Sequence, residues 1–288
     1  MPELPEVETV RRGVDAAVVG KHITRVEVGR ERSVRRVGKK TVINGLTDAT
    51  VTGTRRHAKY LMVDLDNGNS MMIHLRMSGR LILATEGATR PPHTHVVMHL
   101  AKSPLASSTQ ELWFVDPRTF GEVVVYPTAA EGDVVPELAE LGVDPINTPL
   151  DPRAIHAVLQ RKRSPIKAVL LSQRPISGVG NIYADEILHR SHVHPRRAAN
   201  CLSLATVTTI CENTVAVLAE AVELGGSTLA DTQYVGLDGA YGGYQDEHMA
   251  YAREDQPCLT CAQNGTAKSI RRIQVAGRST FFCPACQR

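Results

Sequence analysis

The chain has 288 residues, a formal net charge of +3, 42% apolar and 22% charged residues, which suggests two domains with globular cores and argues against a disordered chain. No apolar run approaches the roughly 18 residues of a membrane span. The start MPELPEVETV lacks the basic n-region and apolar h-region of a signal peptide, so the expected location is the cytoplasm, with no membrane partner. The small net charge hides an uneven distribution. There are 13 Lys/Arg against 4 Asp/Glu from Arg11 to Lys59, six basic and no acidic residues from Arg153 to Arg174, and five basic and no acidic residues after Cys261. Between Pro127 and Asp151 the pattern inverts to six acids and no bases. Basic blocks around an acidic connector suit a polyanion held between two lobes, although any single block is more often a solvated face.

In chain order, Glu6–Val19 reads as a helix: Val7, Val10, Val14, Ala17 and Val18 share a face, Pro2 and Pro5 lie before or in the first turn, and Gly20 closes it. From Ile23 to Tyr126 short β-branched or alternating runs (ITRVEV, ATVTGT, YLMVDL, SMMIHLRM, HTHVVMHL, ELWFV, EVVVY) predict strands of a sandwich or barrel. The acidic, proline-rich stretch 127–151 reads as a connector. Helices are predicted over Arg153–Arg163, Ile166–Ser172, Asn181–His189 and Ser203–Leu224, the last closed by Gly225-Gly226. Residues 235–244, with four glycines, read as mobile, and no internal repeat is present.

Cys258/Cys261 and Cys283/Cys286 form two CxxC knuckles with 21 residues between them. Without a secretion signal this spacing points to one tetrahedral, structural Zn²⁺. The knuckles bracket Arg271, Arg272 and Arg278 with no acid, which suits a finger that touches phosphate or bases, although a bare structural staple remains open. Cys201 and Cys211 read as small buried hydrophobes. Gly178–Asn181 precedes a helix and would suit a phosphate at the helix N-terminus; a plain capping turn with Asn181 as the cap fits equally well. His74, Met77, Arg118 and Phe120 fall at strand ends or turns. An exposed Met and Phe around an Arg can wedge into a duplex, yet Met77 and Phe120 are more often core residues. A free Pro2 would be a secondary amine with a pKa of about 7.7–8.0, able to form an iminium with an aldehyde-level carbon, with Glu3 as general acid. Taken alone, Pro2-Glu3 merely leads into a helix.

These motifs occur together and in order. PELPEVETV, RRHAKYL with Lys59, HLRMSGRL with His74 and Met77, DPRTFG with Arg118 and Phe120, IKAVLLSQRPISGVGNIYADE and RSTFFCPACQ resemble the formamidopyrimidine-DNA glycosylase family over the whole chain. The resemblance implies an α+β protein. It would have an N-terminal β-sandwich flanked by helices (1–132), a connector (133–150), a helix–two-turn–helix domain with a lesion-covering loop (151–250) and a β-hairpin zinc finger (251–288). It implies a bifunctional glycosylase and AP lyase that removes oxidised purines from double-stranded DNA as a monomer. Pro2 would be the nucleophile, Glu3 the proton donor to the opening sugar, and Lys59 a contact to phosphate and the reacting nucleotide. His74, Lys167, Asn181 and Arg278 would bind DNA. Met77, Arg118 and Phe120 would fill the gap left by the extruded base, and Gly225–Tyr244 would fold over that base. The family's glycine is replaced by Arg76 in HLRMSG and by Ala252 before Arg253, and the stretch between the knuckles is longer than usual. The alternatives are an endonuclease VIII-type enzyme for oxidised pyrimidines, whose start resembles PEGPE instead of PELPE, and a non-catalytic zinc-containing DNA-binding relative.

Overall fold

The computed structural model describes residues 2–228, 236–237 and 239–288. They divide into two compact units, Met1–Ala139 with Leu224–Gly243, and Glu140–Glu223 with Tyr244–Arg288. The first unit contains α1 (Leu4–Val18), β1 (His22–Val28), α2 (Lys39–Leu46), β2 (Ala49–His57), β3 (Tyr60–Leu65), β4 (Asn69–His74), β5 (Arg80–Thr85), β6 (Thr94–Ala101), β7 (Gln110–Val115), β8 (Glu122–Pro127) and α3 (Glu131–Val134). The second holds α4 (Pro152–Leu159), α5 (Ile166–Leu171), α6 (Asn181–Arg190), α7 (Leu204–Glu223), α8 (Leu259–Gln263) and the hairpin β9 (Arg271–Val275) and β10 (Arg278–Phe282). No helix among the described residues is long and apolar enough to cross a membrane.

The eight strands run in the order β5-β7-β6-β1-β2-β3-β4-β8. β1 and β2 share only the pairs His22↔Thr50 and Ile23↔Ala49, so the sheet folds there into two layers. Alternation then does the rest. Val26, Val96, Met98 and Phe114 of one layer join Val63, Met71, Ile73 and Val125 of the other in a single core, which Val7, Val10, Val14 and Val18 of α1 complete. Each such side chain contributes roughly 1.5–3 kcal/mol by leaving water. The fold is therefore the expected α+β sandwich with a helical unit and a β-hairpin finger.

α2, α3, β5 and α8 escaped the sequence reading. α2 mixes β-branched residues with Asn44 and Gly45, and its glycine is demanded by packing, since a Cβ there would lie 2.6 Å from Val125 Cγ1. β5 follows β4 too closely to be separated from it by pattern. α4 stops at Leu159 instead of Arg163, and Arg161, Lys162 and Arg163 lie exposed after it. Cys201 is exposed in a short 3-10 turn ahead of α7, contrary to expectation, because the apolar period of that helix starts only at Leu204. Cys211 is buried in α7, and burial pushes its thiol up to about 11.

The basic block at the N-terminus is largely consumed inside the unit. Arg36 pairs with Glu122 and Glu137, Arg55 with Asp64 and Glu131, and Arg35 with Glu122. The acids 131 and 137 of the supposed connector are thus fastened to the sandwich. Among the ion pairs this basic block makes in the described residues, the most enclosed is Arg56–Glu8, 2.9 Å apart with side chains 1% and 8% exposed. Burial pushes the Glu8 carboxyl up, but hydrogen bonds from Arg11 and Arg56 outweigh it and hold the group below its usual range. Removing the carboxylate takes a charged partner from a buried guanidinium, so Glu8→Ala should cost about 3 kcal/mol in urea unfolding; a loss below about 1 kcal/mol would show that the pair does not hold α1 in place.

Candidate active site and zinc centre

Pro2 is buried one residue ahead of Glu3, the N-cap of α1, which is 2% exposed. Glu6, which the sequence reading passed over, organises this end. Its Oε2 accepts the Glu3 backbone N–H at 2.7 Å and its Oε1 accepts that of Ser227 at 2.8 Å. Gly226 has φ +78°, and a Cβ there would meet Glu6 Oε1 at 2.6 Å, so only glycine permits this approach. One carboxylate therefore ties the N-terminus to the base of the Gly225–Tyr244 segment. Of that segment, 229–235 and 238 lie outside the described residues, and with them part of the stretch 235–244 that was expected to be mobile. Two described residues of it are fastened: Gly243 N donates to Leu224 O at 2.8 Å, and Leu237 is buried in the sandwich core, whereas Tyr241 is exposed.

Lys59 sits in the two-residue turn between β2 and β3, after Ala58 at φ +52°. The Arg56 guanidinium that pairs with Glu8 also donates to Ala58 O at 3.0 Å, so α1 and the Lys59 turn are held by one side chain. His74 ends β4, opposite Tyr60, with ring centroids 4.4 Å apart. Burial, then the charges of Arg76, Lys59 and Arg36, hold its imidazole well below the usual value. It is therefore neutral near pH 7.

Met77 is half-buried, and Arg118 and Phe120 are exposed, with the Arg118 guanidinium 5.1 Å from the Phe120 ring centre. Neither loop stands alone. The buried Asp116 accepts Ser78 Oγ–H at 2.5 Å and the Arg118 N–H at 3.2 Å on Oδ1, and the Gly121 N–H at 2.7 Å on Oδ2. That carboxylate joins the turn bearing Met77 to the turn bearing Arg118 and Phe120.

In the second unit the α6 cap is Gly180, and Asn181 is the first helical residue, so the capping alternative for Asn181 does not hold. Asn181 Nδ2 donates to Ser279 O at 3.0 Å. Lys167, expected at phosphate, is fully buried and donates to Asp185 Oδ1 (2.7 Å), Thr280 Oγ1 (2.9 Å) and Ser279 O (3.2 Å). Reaching a phosphate would require it to release these partners; in this conformation it braces the hairpin. Arg278 is exposed just after the tight Ala276-Gly277 turn.

Cys258, Cys261, Cys283 and Cys286 bring four sulfurs within 4.8 Å of one another. Cys258–Cys286 and Cys261–Cys283 are 3.8 and 3.6 Å apart. Zn–S bonds of about 2.3 Å in a tetrahedron give edges of about 3.8 Å, and the knuckles hold a single structural zinc.

These two units define a zinc-containing DNA glycosylase of the helix–two-turn–helix class. Residues 1–123 match the formamidopyrimidine-DNA glycosylase N-terminal domain, 141–233 its H2TH domain, and 268–288 a zinc finger found in FPG and IleRS. The chain is 42% identical over 290 residues to a formamidopyrimidine-DNA glycosylase of Gluconobacter oxydans (strain 621H) and 38% identical over 300 residues to one of Corynebacterium jeikeium (strain K411), with 100% of both chains covered in each case. It is similar to the solved structure of Lactococcus lactis Fpg in complex with abasic-site DNA (TM-score 0.88, 32% identity, 99% of both chains). A second Lactococcus lactis Fpg structure, with Fapy-dG DNA, matches at TM-score 0.87 and 32% identity over 99% of this chain and 100% of the other. The chain belongs to the formamidopyrimidine-DNA glycosylase family of DNA-repair enzymes.

The two departures from the family's glycines share a physical cost. Arg76 has φ +54° and Ala252 φ +59°, the left-handed region in which a Cβ is strained by roughly 1–2 kcal/mol. Arg76→Gly and Ala252→Gly should therefore each stabilise the chain by about 0.5–1 kcal/mol after the added unfolded-state entropy is subtracted. Thermal unfolding checks this; a lower Tm in both variants would contradict it.

Proposed function

We propose that this enzyme excises oxidised purines, 8-oxoguanine and formamidopyrimidines, from double-stranded DNA and cleaves the strand at the resulting site, acting as a cytoplasmic monomer. The observation that carries the reading is the buried Pro2-Glu3 end of α1, fixed by Glu6 and set on the same sandwich as Lys59. As encoded, the Pro2 nitrogen is an amide whose lone pair is delocalised into the Met1 carbonyl. Removal of Met1 frees a secondary amine with a pKa of about 7.7–8.0, partly unprotonated near neutrality. That nitrogen attacks C1′, and the glycosidic bond breaks as the damaged base leaves with a proton. Glu3 delivers a proton to O4′ as the sugar ring opens, leaving an iminium between C1′ and Pro2. The cation acidifies the C2′ proton, so β-elimination breaks the C3′–O bond and δ-elimination then releases the 5′ phosphate, leaving a one-nucleotide gap with phosphates at both ends.

Around that chemistry, Lys59 contacts phosphate and the reacting nucleotide, and His74, Lys167, Asn181 and Arg278 bind the backbone, Lys167 by way of the hairpin it braces. Met77, Arg118 and Phe120 offset part of the few kcal/mol that base extrusion costs, with Arg118 facing the orphaned cytosine. The partly exposed Phe120 with a guanidinium across its ring supports the wedge reading over a core role. The names of the relatives, the DNA in the solved structures and the PELPE start support the purine assignment.

The test is incision of duplexes that carry 8-oxoguanine opposite cytosine, or an oxidised thymine. The expected result is incision preferring 8-oxoguanine, strongly slowed base excision with retained DNA binding in Glu3→Gln, and weaker discrimination against adenine opposite the lesion in Arg118→Ala. Preferential incision of the oxidised thymine would transfer the chain to the endonuclease VIII-type activity, and binding without incision would leave a non-catalytic relative.

A further inference from the structure

One face of α6 is a polar stripe at i, i+4, i+8, and every member of it reaches the zinc module. Asn181 Nδ2 donates to Ser279 O at 3.0 Å, and Asp185 Oδ2 accepts the Phe281 N–H at 2.9 Å. The third member is His189, whose Nε2 lies 3.4 Å from Cys258 Sγ. Residues four apart stand one above the other on a helix, so the stripe sets α6 against the finger at three successive levels. Asp185 and His189 are each 1% exposed and Cys258 is 0% exposed, so water does not compete for these bonds. Beside the stripe, Glu186 accepts the backbone N–H groups of Met249, Ala250 and Tyr251 at 2.7–3.0 Å, which fixes the chain entering the first knuckle.

The third contact differs in kind because its acceptor is a metal ligand. A zinc-bound cysteine is a thiolate, with lone pairs and no proton. At 3.4 Å, a distance suited to N–H···S, the hydrogen can come only from Nε2. We propose that His189 is a metal-positioning residue: its Nε2–H donates to the zinc-bound Cys258 thiolate, orienting that ligand and making metal occupancy part of the contact between α6 and the finger. The bond withdraws electron density from one sulfur of a four-thiolate, doubly negative centre, and so steadies a charge that burial alone would penalise. It also links the metal to the helix that begins at Asn181. An apolar aromatic residue could fill the same volume without acting on the metal, so the role belongs to the imidazole N–H.

The experiment compares wild type, His189→Phe, which keeps bulk and removes the donor, and His189→Gln, whose Nε2–H₂ reaches a similar position. The protein is loaded with Co²⁺ to read the sulfur-to-cobalt charge-transfer bands, and with Zn²⁺ to measure affinity by chelator competition. The expected result is a shift of the bands to longer wavelength and about tenfold weaker zinc binding in His189→Phe, with both returned towards wild type in His189→Gln. Long-range ¹H–¹⁵N spectra of the wild-type zinc protein should show the hydrogen of His189 on Nε2, a reading that does not depend on how either variant folds. Unchanged charge-transfer bands in a folded His189→Phe, or a wild-type imidazole with no hydrogen on Nε2, would overturn the proposal.

Discussion

The Arg56 guanidinium lies inside the sandwich unit with 1% of its side chain exposed, bonded on one edge to the Glu8 carboxylate and on another to the Ala58 carbonyl. A buried charge of this kind tolerates little displacement, because losing a partner costs several kcal/mol. Glu8 is on α1, two turns beyond Pro2, and Ala58 is in the turn that presents Lys59. The position of the helix start and the position of the lysine are therefore one structural variable. Without this bond α1 would keep its valine stripe, the Glu6 contact and its links to Thr54, but apolar packing fixes a helix axis less exactly than a buried, charge-assisted hydrogen bond does.

The same device recurs at each loop assigned to the chemistry. Glu6 gathers the N–H groups of Glu3 and Ser227. Asp116 gathers those of Arg118 and Gly121 together with the Ser78 hydroxyl, and Glu186 gathers three consecutive N–H groups before the first knuckle. In every case a buried carboxylate answers backbone donors that a sheet or helix would otherwise have satisfied. The loops are thus irregular in path yet fixed in place, which is what the proposed nucleophile and wedge require. The zinc centre extends the scheme to the finger, where four sulfurs take the place of an apolar core too small to form by itself.

How much of this was legible in the sequence follows from how local each feature is. α1 was legible because Val7, Val10, Val14 and Val18 repeat at helical spacing, and the strands because their side chains alternate. The zinc ligands were legible because a knuckle is a local motif. Long-range pairing left no such mark. Arg55 and Arg36 read as a basic surface, and their acids lie 76 and 101 residues away in sequence. Lys167 read as a phosphate ligand, whereas Asp185 and Thr280, which enclose it, come from other elements. Glu6, Asp116 and Glu186 carried no signal beyond being acidic. Arg76 and Ala252 were visible as departures from the family's glycines, but only the backbone angles say why glycine is usual there.

The central claim is that the residue following Met1 supplies the nucleophile, and the most direct measurement is to trap the covalent intermediate. Borohydride reduces an iminium to a stable amine, so active enzyme treated with it on 8-oxoguanine duplex should become linked to the DNA. Mass spectrometry of the digested adduct should find the link on Pro2 of a chain that has lost Met1. Fully active enzyme with Met1 still attached, or a link at Lys59, would contradict the account.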